Sequence, residues 1–219
     1  MRQKITNLQQ AIAYLGTKQI RNLALTVSVS DLFRREQCIG LYRRRELWRH
    51  MVAVAVCARM MGRELRLKAG PDDVFLAGLL HDIGIILEDQ YVHTQFFAVI
   101  RMLDRDHSLP SREREVLGFD HARLGDAVCR RWQFPEMICD VVRYHHNSNR
   151  CQSEHRQAVQ CIDVANTICT LQGMPSVGLE LVSFCPTSLA DLSLTKQRVL
   201  QFAEQLDEEL QTNAELLRL

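Results

Sequence analysis

Apolar positions recur along this chain at the three-to-four-residue interval of an amphipathic helix, and the breaks between the recurring segments are short. Thr6 stands where an N-cap belongs, ahead of Leu8, Ile12 and Leu15, and Gly16 closes that segment. Ile20, Leu23, Ala24 and Val27 then make one stripe. A longer segment, from about Tyr42 to Leu65, carries Leu47, Met51, Val52, Ala55, Val56 and Met60, a stripe broad enough for a central helix. Gly70-Pro71-Asp72-Asp73 supplies a turn, an N-terminal proline and first-turn acids for the next helix. Its apolar run from Val74 to Leu80 leads straight into His81-Asp82.

The second half repeats the pattern. Ser111 can cap a segment after Leu109-Pro110, although Arg114 stands where a capping box needs Glu or Gln. Glu113 and Glu115 suit a first turn there. Phe119-Asp120-His121 opens a helix through Leu124, Ala127 and Val128 to Trp132, which Phe134-Pro135 breaks before Met137 to His146 forms the next. Glu154 to Leu171 places Ala158, Cys161, Ile162, Ala165 and Ile168 inward, and Gly173 with Pro175 ends it. A turn-rich stretch from Ser176 to Asp191 precedes a terminal helix lined by Val199, Ala203, Leu206 and Leu210, which is expected to cap the core. The pattern predicts an all-α fold with one main domain over residues 1–175 and a C-terminal helical extension, 176–219, packed on it.

Composition narrows the function classes. With 27 Lys+Arg against 26 Asp+Glu in 219 residues, there is no overall bias towards nucleic acid or an anionic membrane, so any anion site must be local. The longest apolar run, Met51 to Ala58, is far short of the roughly 20 residues that span a bilayer, and the first residues lack the apolar core of a secretory signal. The eight cysteines form no CxxC pair and sit in apolar contexts such as Val56-Cys57-Ala58, which predicts reduced thiols and a cytoplasmic location. Arg34, Arg35, Arg43, Arg44, Arg45 and Arg49 cluster around the start of the central segment. They read either as a solvated surface or as a patch, centred on Arg43, Arg44 and Arg45, for an acidic partner or a phosphorylated ligand.

The chemistry lies in the histidines. His50, His81, His121, His145 and His146 account for five of the eight, with Asp82 beside His81, and each flanks an apolar helical run. Imidazoles and a carboxylate suit a divalent transition metal such as Fe, Mn, Zn or Ni, and an aspartate can bridge two ions. A buried His-Asp pair needs either a metal or a hydrogen-bond network, and the residues alone leave both open. His93, His107 and His155 read as structural or surface residues.

Ala77-Gly78-Leu79-Leu80-His81-Asp82-Ile83-Gly84, with Leu47-Trp48-Arg49-His50 upstream, resembles the HD superfamily of metal-dependent phosphohydrolases and, more narrowly, HDOD domains. Ala11-Ile12-Ala13-Tyr14-Leu15-Gly16 resembles that family's early AI-x-x-LG element. Glu115 with Gly118-Phe119-Asp120-His121, then Trp132-Gln133-Phe134-Pro135 and His145-His146, resembles its E-x-x-G-x-x-H, W-x-x-P and HH sequence. The resemblance runs from about Ile5 to Leu171. It implies an HD-superfamily helical bundle, here short of the family's first helices, and a bacterial signalling module acting through a protein partner or small ligand; the balanced charge and short apolar runs speak against a membrane or nucleic acid as partner.

The departures bear on catalysis. The related HD-GYP phosphodiesterases carry a lysine soon after the HD pair and a GYP element after the HH pair, where this chain has Ile85-Ile86-Leu87 and Asn147-Ser148-Asn149-Arg150. Asn166 stands where the superfamily has a further aspartate ligand, and Asp163, three residues earlier, is an imperfect substitute. By resemblance the metal position using His50, His81 and Asp82 is weakened, while the one using Asp82, His121, His145 and His146 is complete. One ion and inefficient catalysis are expected; the alternative is a metal-dependent phosphohydrolase acting on a nucleotide or cyclic dinucleotide.

Overall fold

A computed structural model describes residues 6–179 and 181–217. The elements in chain order are α1 (Leu8–Leu15), α2 (Thr17–Ser30), a hairpin of β1 (Cys38–Ile39) and β2 (Tyr42–Arg43), α3 (Arg44–Glu64), α4 (Pro71–Leu80), α5 (Ile83–Tyr91), α6 (His93–Arg101), α7 (Leu109–Leu117), α8 (His121–Arg131), α9 (Glu136–Tyr144), α10 (Arg156–Leu171), α11 (Pro186–Asp191), α12 (Lys196–Thr212) and α13 (Ala214–Leu217). The fold is the expected all-α bundle. The sequence pattern did not anticipate its short antiparallel hairpin, which pairs Cys38 with Arg43 and Ile39 with Tyr42.

Helix α3 is the axis. Its middle is buried on every side, from Met51 to Ala58, because α4, α10 and α12 pack around it. Small residues let α4 come close: a Cβ on Gly78 would stand 2.8 Å from the Cα of Ala55. The C-terminal segment fastens to the same helix. Phe202, Leu206 and Leu210 of α12 are buried, Arg59 donates to Asn213 Oδ1 at 2.8 Å, and the Trp48 indole N–H donates to the Leu216 carbonyl at 3.1 Å. All eight cysteines are free thiols, six of them buried. No helix among the described residues is long and apolar enough to cross a membrane.

Several expectations need correction. The α2 stripe turns outward: Leu23 and Val27 are 43% and 61% exposed, while Asn22, Thr26 and Val29 face inward. The cause is polar. Asn22 donates to the Asp72 carbonyl at 2.9 Å, and Lys18 and Arg21 pair with Asp73, so α2 is docked by its hydrophilic side on the start of α4. Asn7, rather than Thr6, caps α1 by accepting from the Gln10 N–H; the Leu8 and Leu15 side chains lie outside the described residues. Ser108 precedes α7 and Ser111 lies within it, because Pro110 fits the first turn, where no N–H is needed. Arg44 leaves the proposed basic patch altogether. It is buried against Asp89, which also accepts from the Tyr42 hydroxyl at 3.0 Å, and its Nη1 donates to the Arg35 carbonyl at 2.7 Å. Around it Arg34, Arg45 and Arg49 pair with Asp31, Glu36 and Glu46, and Arg43 donates to the Gly40 and Tyr42 carbonyls.

Candidate functional site

Five imidazoles converge on one carboxylate. Asp82 occupies the joint between α4 and α5, His50 comes from α3, His81 ends α4, His121 begins α8, and His145 and His146 follow α9. Two close glycines bring these helices together: a Cβ on Gly84 would stand 2.0 Å from the His121 carbonyl oxygen, and one on Gly125 2.6 Å from Val142 Cγ1.

The donor atoms fall into two groups that share Asp82. His50, His81 and Asp82 form one; Asp82, His121, His145 and His146 form the other, with the ligand atoms of each group within 4.8 Å of one another. Asp82 Oδ2 lies 3.2 Å from His81 Nε2 and 3.6 Å from His50 Nε2, and Oδ1 lies 3.3 and 3.4 Å from the Nε2 atoms of His145 and His121. All members are buried except His146, which is partly exposed.

The outer nitrogens are committed. His50 Nδ1 donates to the Met174 carbonyl at 2.6 Å, His81 Nδ1 to the Gly78 carbonyl at 2.7 Å and His145 Nδ1 to the Val142 carbonyl at 2.9 Å. A carbonyl only accepts, so each Nδ1 carries a proton, and in its neutral form each ring turns a bare Nε2 inward. His50 and His81 thus set two acceptors against each other at 3.3 Å, and the buried Asp82 Oδ1 has no hydrogen-bond partner of good geometry. Converging lone pairs and an orphaned carboxylate oxygen fit a bound cation.

Charge follows the same layout. Burial works to raise Asp82, yet the surrounding His81, His121 and His145 imidazoles hold its carboxyl well below the usual range. Burial pushes His50 down to about 4 and also lowers His145 and His146. His121 is the exception. Burial lowers it too, but Glu113 and Asp82 outweigh that and raise it well above an ordinary histidine.

Glu113 is the residue that sequence reasoning missed. The resemblance pointed to Glu115, but Glu115 pairs with Arg112 and is exposed, whereas the buried Glu113 accepts from His121 Nδ1 at 2.7 Å and from the His121 backbone N–H at 2.9 Å. Such carboxylate–histidine contacts fix a ligand's tautomer and raise its basicity. A signal existed: Glu113 falls four residues after the buried Leu109 and three and four before Val116 and Leu117, so it shares their inward stripe.

Asp163 does not join the cluster; it accepts from the Ser148 and Ser188 hydroxyls at 2.9 and 2.6 Å. Asn166, on the same helix, is buried and accepts from the Thr170 hydroxyl at 3.3 Å. His93, His107 and His155 sit apart from the centre, each beside an aspartate.

Behind Glu113 lies Glu88 of α5, fully buried, its two oxygens without a hydrogen-bond partner of good geometry. Burial, then the Glu113 charge, pushes its pKa up to about 10 from 4.5. The folded chain therefore keeps a proton that the unfolded chain releases, and stability falls as pH rises above 4.5 towards 10. Glu88→Gln, neutral at every pH, is expected to raise the urea midpoint at pH 8 relative to the parent while leaving it nearly unchanged at pH 4. Equal midpoints at pH 8 would show that Glu88 is ionised in the fold.

Comparison with known proteins gives a consistent picture. The HDOD domain family model matches residues 1–148. An HDOD domain protein of unknown function from Geobacter sulfurreducens has a similar structure, with 25% identity and a TM-score of 0.72 over 99% of this chain and 74% of that one. A candidate signal transduction protein from Marinobacter aquaeolei VT8 matches at 19% identity with a TM-score of 0.75, covering 98% of this chain and 48% of that one. An uncharacterized protein of Treponema pallidum (strain Nichols) is 22% identical over 176 residues, 79% of this chain. The chain spans about a third of that relative's length, 33%.

Proposed function

The chain belongs to the HDOD domain family, and from that premise we propose that it is a bacterial, cytoplasmic signalling module whose histidine-aspartate centre holds one divalent transition metal (Fe, Mn, Zn or Ni) without efficient catalysis. The unequal halves of the centre carry this reading: one has four converging donors and the other three. Asn166 stands where the superfamily places an aspartate, and Asp163 is engaged by two serines. An amide lacks the charge that would favour a second ion beside His50 and His81.

Asp82, His121, His145 and His146 would hold the ion, with Glu113 orienting His121. When bound, a divalent ion there supplies Lewis acidity and fixed positive charge. The likeness to a signal transduction candidate supports a regulatory role through a protein partner or a small ligand. The complete four-donor half favours a second reading, a metal-dependent phosphohydrolase acting on a nucleotide or cyclic dinucleotide.

Elemental analysis of protein purified without added metal, paired with assays over nucleotides and cyclic dinucleotides after Mn and Fe reconstitution, separates the two. About one equivalent of metal and no turnover are expected. Two ions with turnover that Asp82→Ala abolishes would overturn the regulatory reading, and absence of any metal after reconstitution would overturn metal binding.

A further inference from the structure

The buried centre has one partly exposed member, His146, and that residue lines a surface pocket of about 300 Å³. Arg114, Arg123, Arg143 and Arg150 reach the same concavity from α7, α8, α9 and the turn after α9. Arg114 is neutralised by Asp120 at 2.6 Å. The other three guanidiniums have no carboxylate partner among the described residues, although acids and bases are nearly equal in number along the chain. Elsewhere Arg34, Arg49, Arg112 and Arg130 pair with acids, and what sets these three apart is their convergence on one concavity. Tyr144 adds an aromatic wall whose hydroxyl has no hydrogen-bond partner among the described residues.

We propose that this pocket binds the phosphate of a mononucleotide, gripped by Arg123, Arg143 and Arg150, with the base against Tyr144. Guanidinium forks match phosphate oxygens two at a time, and an aromatic face accepts any base. The volume is at the small end for ligand pockets, which selects a mononucleotide over a cyclic dinucleotide with twice the bases and phosphates. The assignment deepens the small-ligand side of the regulatory reading and rests on it only in that the nucleotide is bound and released unchanged. His146 on the pocket wall places that ligand beside the centre, so the two sites are adjacent without sharing the arginines.

The test is calorimetric titration of the whole chain, with and without Mn, using AMP and inorganic phosphate as probes, with metal content and thermal melting followed on the same samples. Saturable AMP binding is expected, at least tenfold tighter than inorganic phosphate. Arg143→Ala/Arg150→Ala should weaken AMP at least tenfold with melting and metal content unchanged. Arg150→Lys, which keeps the charge but not the fork, should weaken it less. Tyr144→Ala should weaken AMP and leave phosphate unaffected. No saturable binding of AMP, equal affinity for AMP and phosphate, or a double variant that binds as the parent does would overturn the assignment. Conversion of AMP during the titration would overturn the regulatory reading alone, because the pocket would still be occupied as assigned.

Discussion

Asp82→Asn is expected to strip the ion from the centre, with affinity falling on the order of a hundredfold or more, since even partners that only orient a ligand are worth roughly ten- to hundredfold. The reasoning starts from sharing. Asp82 is the one side chain common to both donor groups, its Oδ2 facing His50 and His81 and its Oδ1 facing His121 and His145. Asparagine keeps the shape, removes the charge and offers one oxygen in place of two. His50→Ala serves as the contrast, because it touches only the three-donor half and is expected to leave the bound equivalent in place. Metal competition titrations on the three proteins check this. Retention of parent-like affinity by Asp82→Asn would remove the shared carboxylate from the centre.

The second large effect concerns stability. Alanine in place of a helical glycine ordinarily stabilises by about 1 kcal/mol. At Gly84 the sign reverses. The added Cβ would lie 2.0 Å from the His121 carbonyl oxygen and 2.7 and 2.8 Å from its carbonyl carbon and Cα, all of them backbone. Neither α5 nor α8 can yield without moving Asp82 or His121, so a loss of about 3 kcal/mol is expected, typical of overpacking against atoms that cannot turn aside. Gly62→Ala is the control, since its Cβ would meet Val74 and Pro71 at an ordinary 3.5–3.6 Å. Urea unfolding should show a lowered midpoint with an unchanged slope for Gly84→Ala and no loss for Gly62→Ala. Equal midpoints for Gly84→Ala and the parent would mean that the α5–α8 approach is looser than the structure shows.

Legibility from sequence followed the range of the forces involved. Helices α3, α4, α8, α9 and α10 were readable within about two residues because periodicity, caps and prolines act locally. The histidines and Asp82 were readable because each flanks an apolar helical run. Arg44 was not: the charge that buries it, Asp89, lies 45 positions away, and nothing beside Arg44 announces that pairing. The α2 face failed for a related reason, since Asn22 owes its inward position to a carbonyl 50 residues later. The three unpaired arginines of the pocket come from separate elements and meet only in the folded chain. Glu113 lies between these cases, missed although its helical phase was available.

The carbonyl groups that hold His50, His81 and His145 have a consequence for order of events. Because those acceptors belong to the backbone, the rings settle their protons and directions as the chain folds, and an arriving ion meets a mould already set. The entropy of arranging these donors is spent before loading. Chelation should then empty the centre and leave the bundle standing, unlike a zinc finger, where the metal and the fold are lost together.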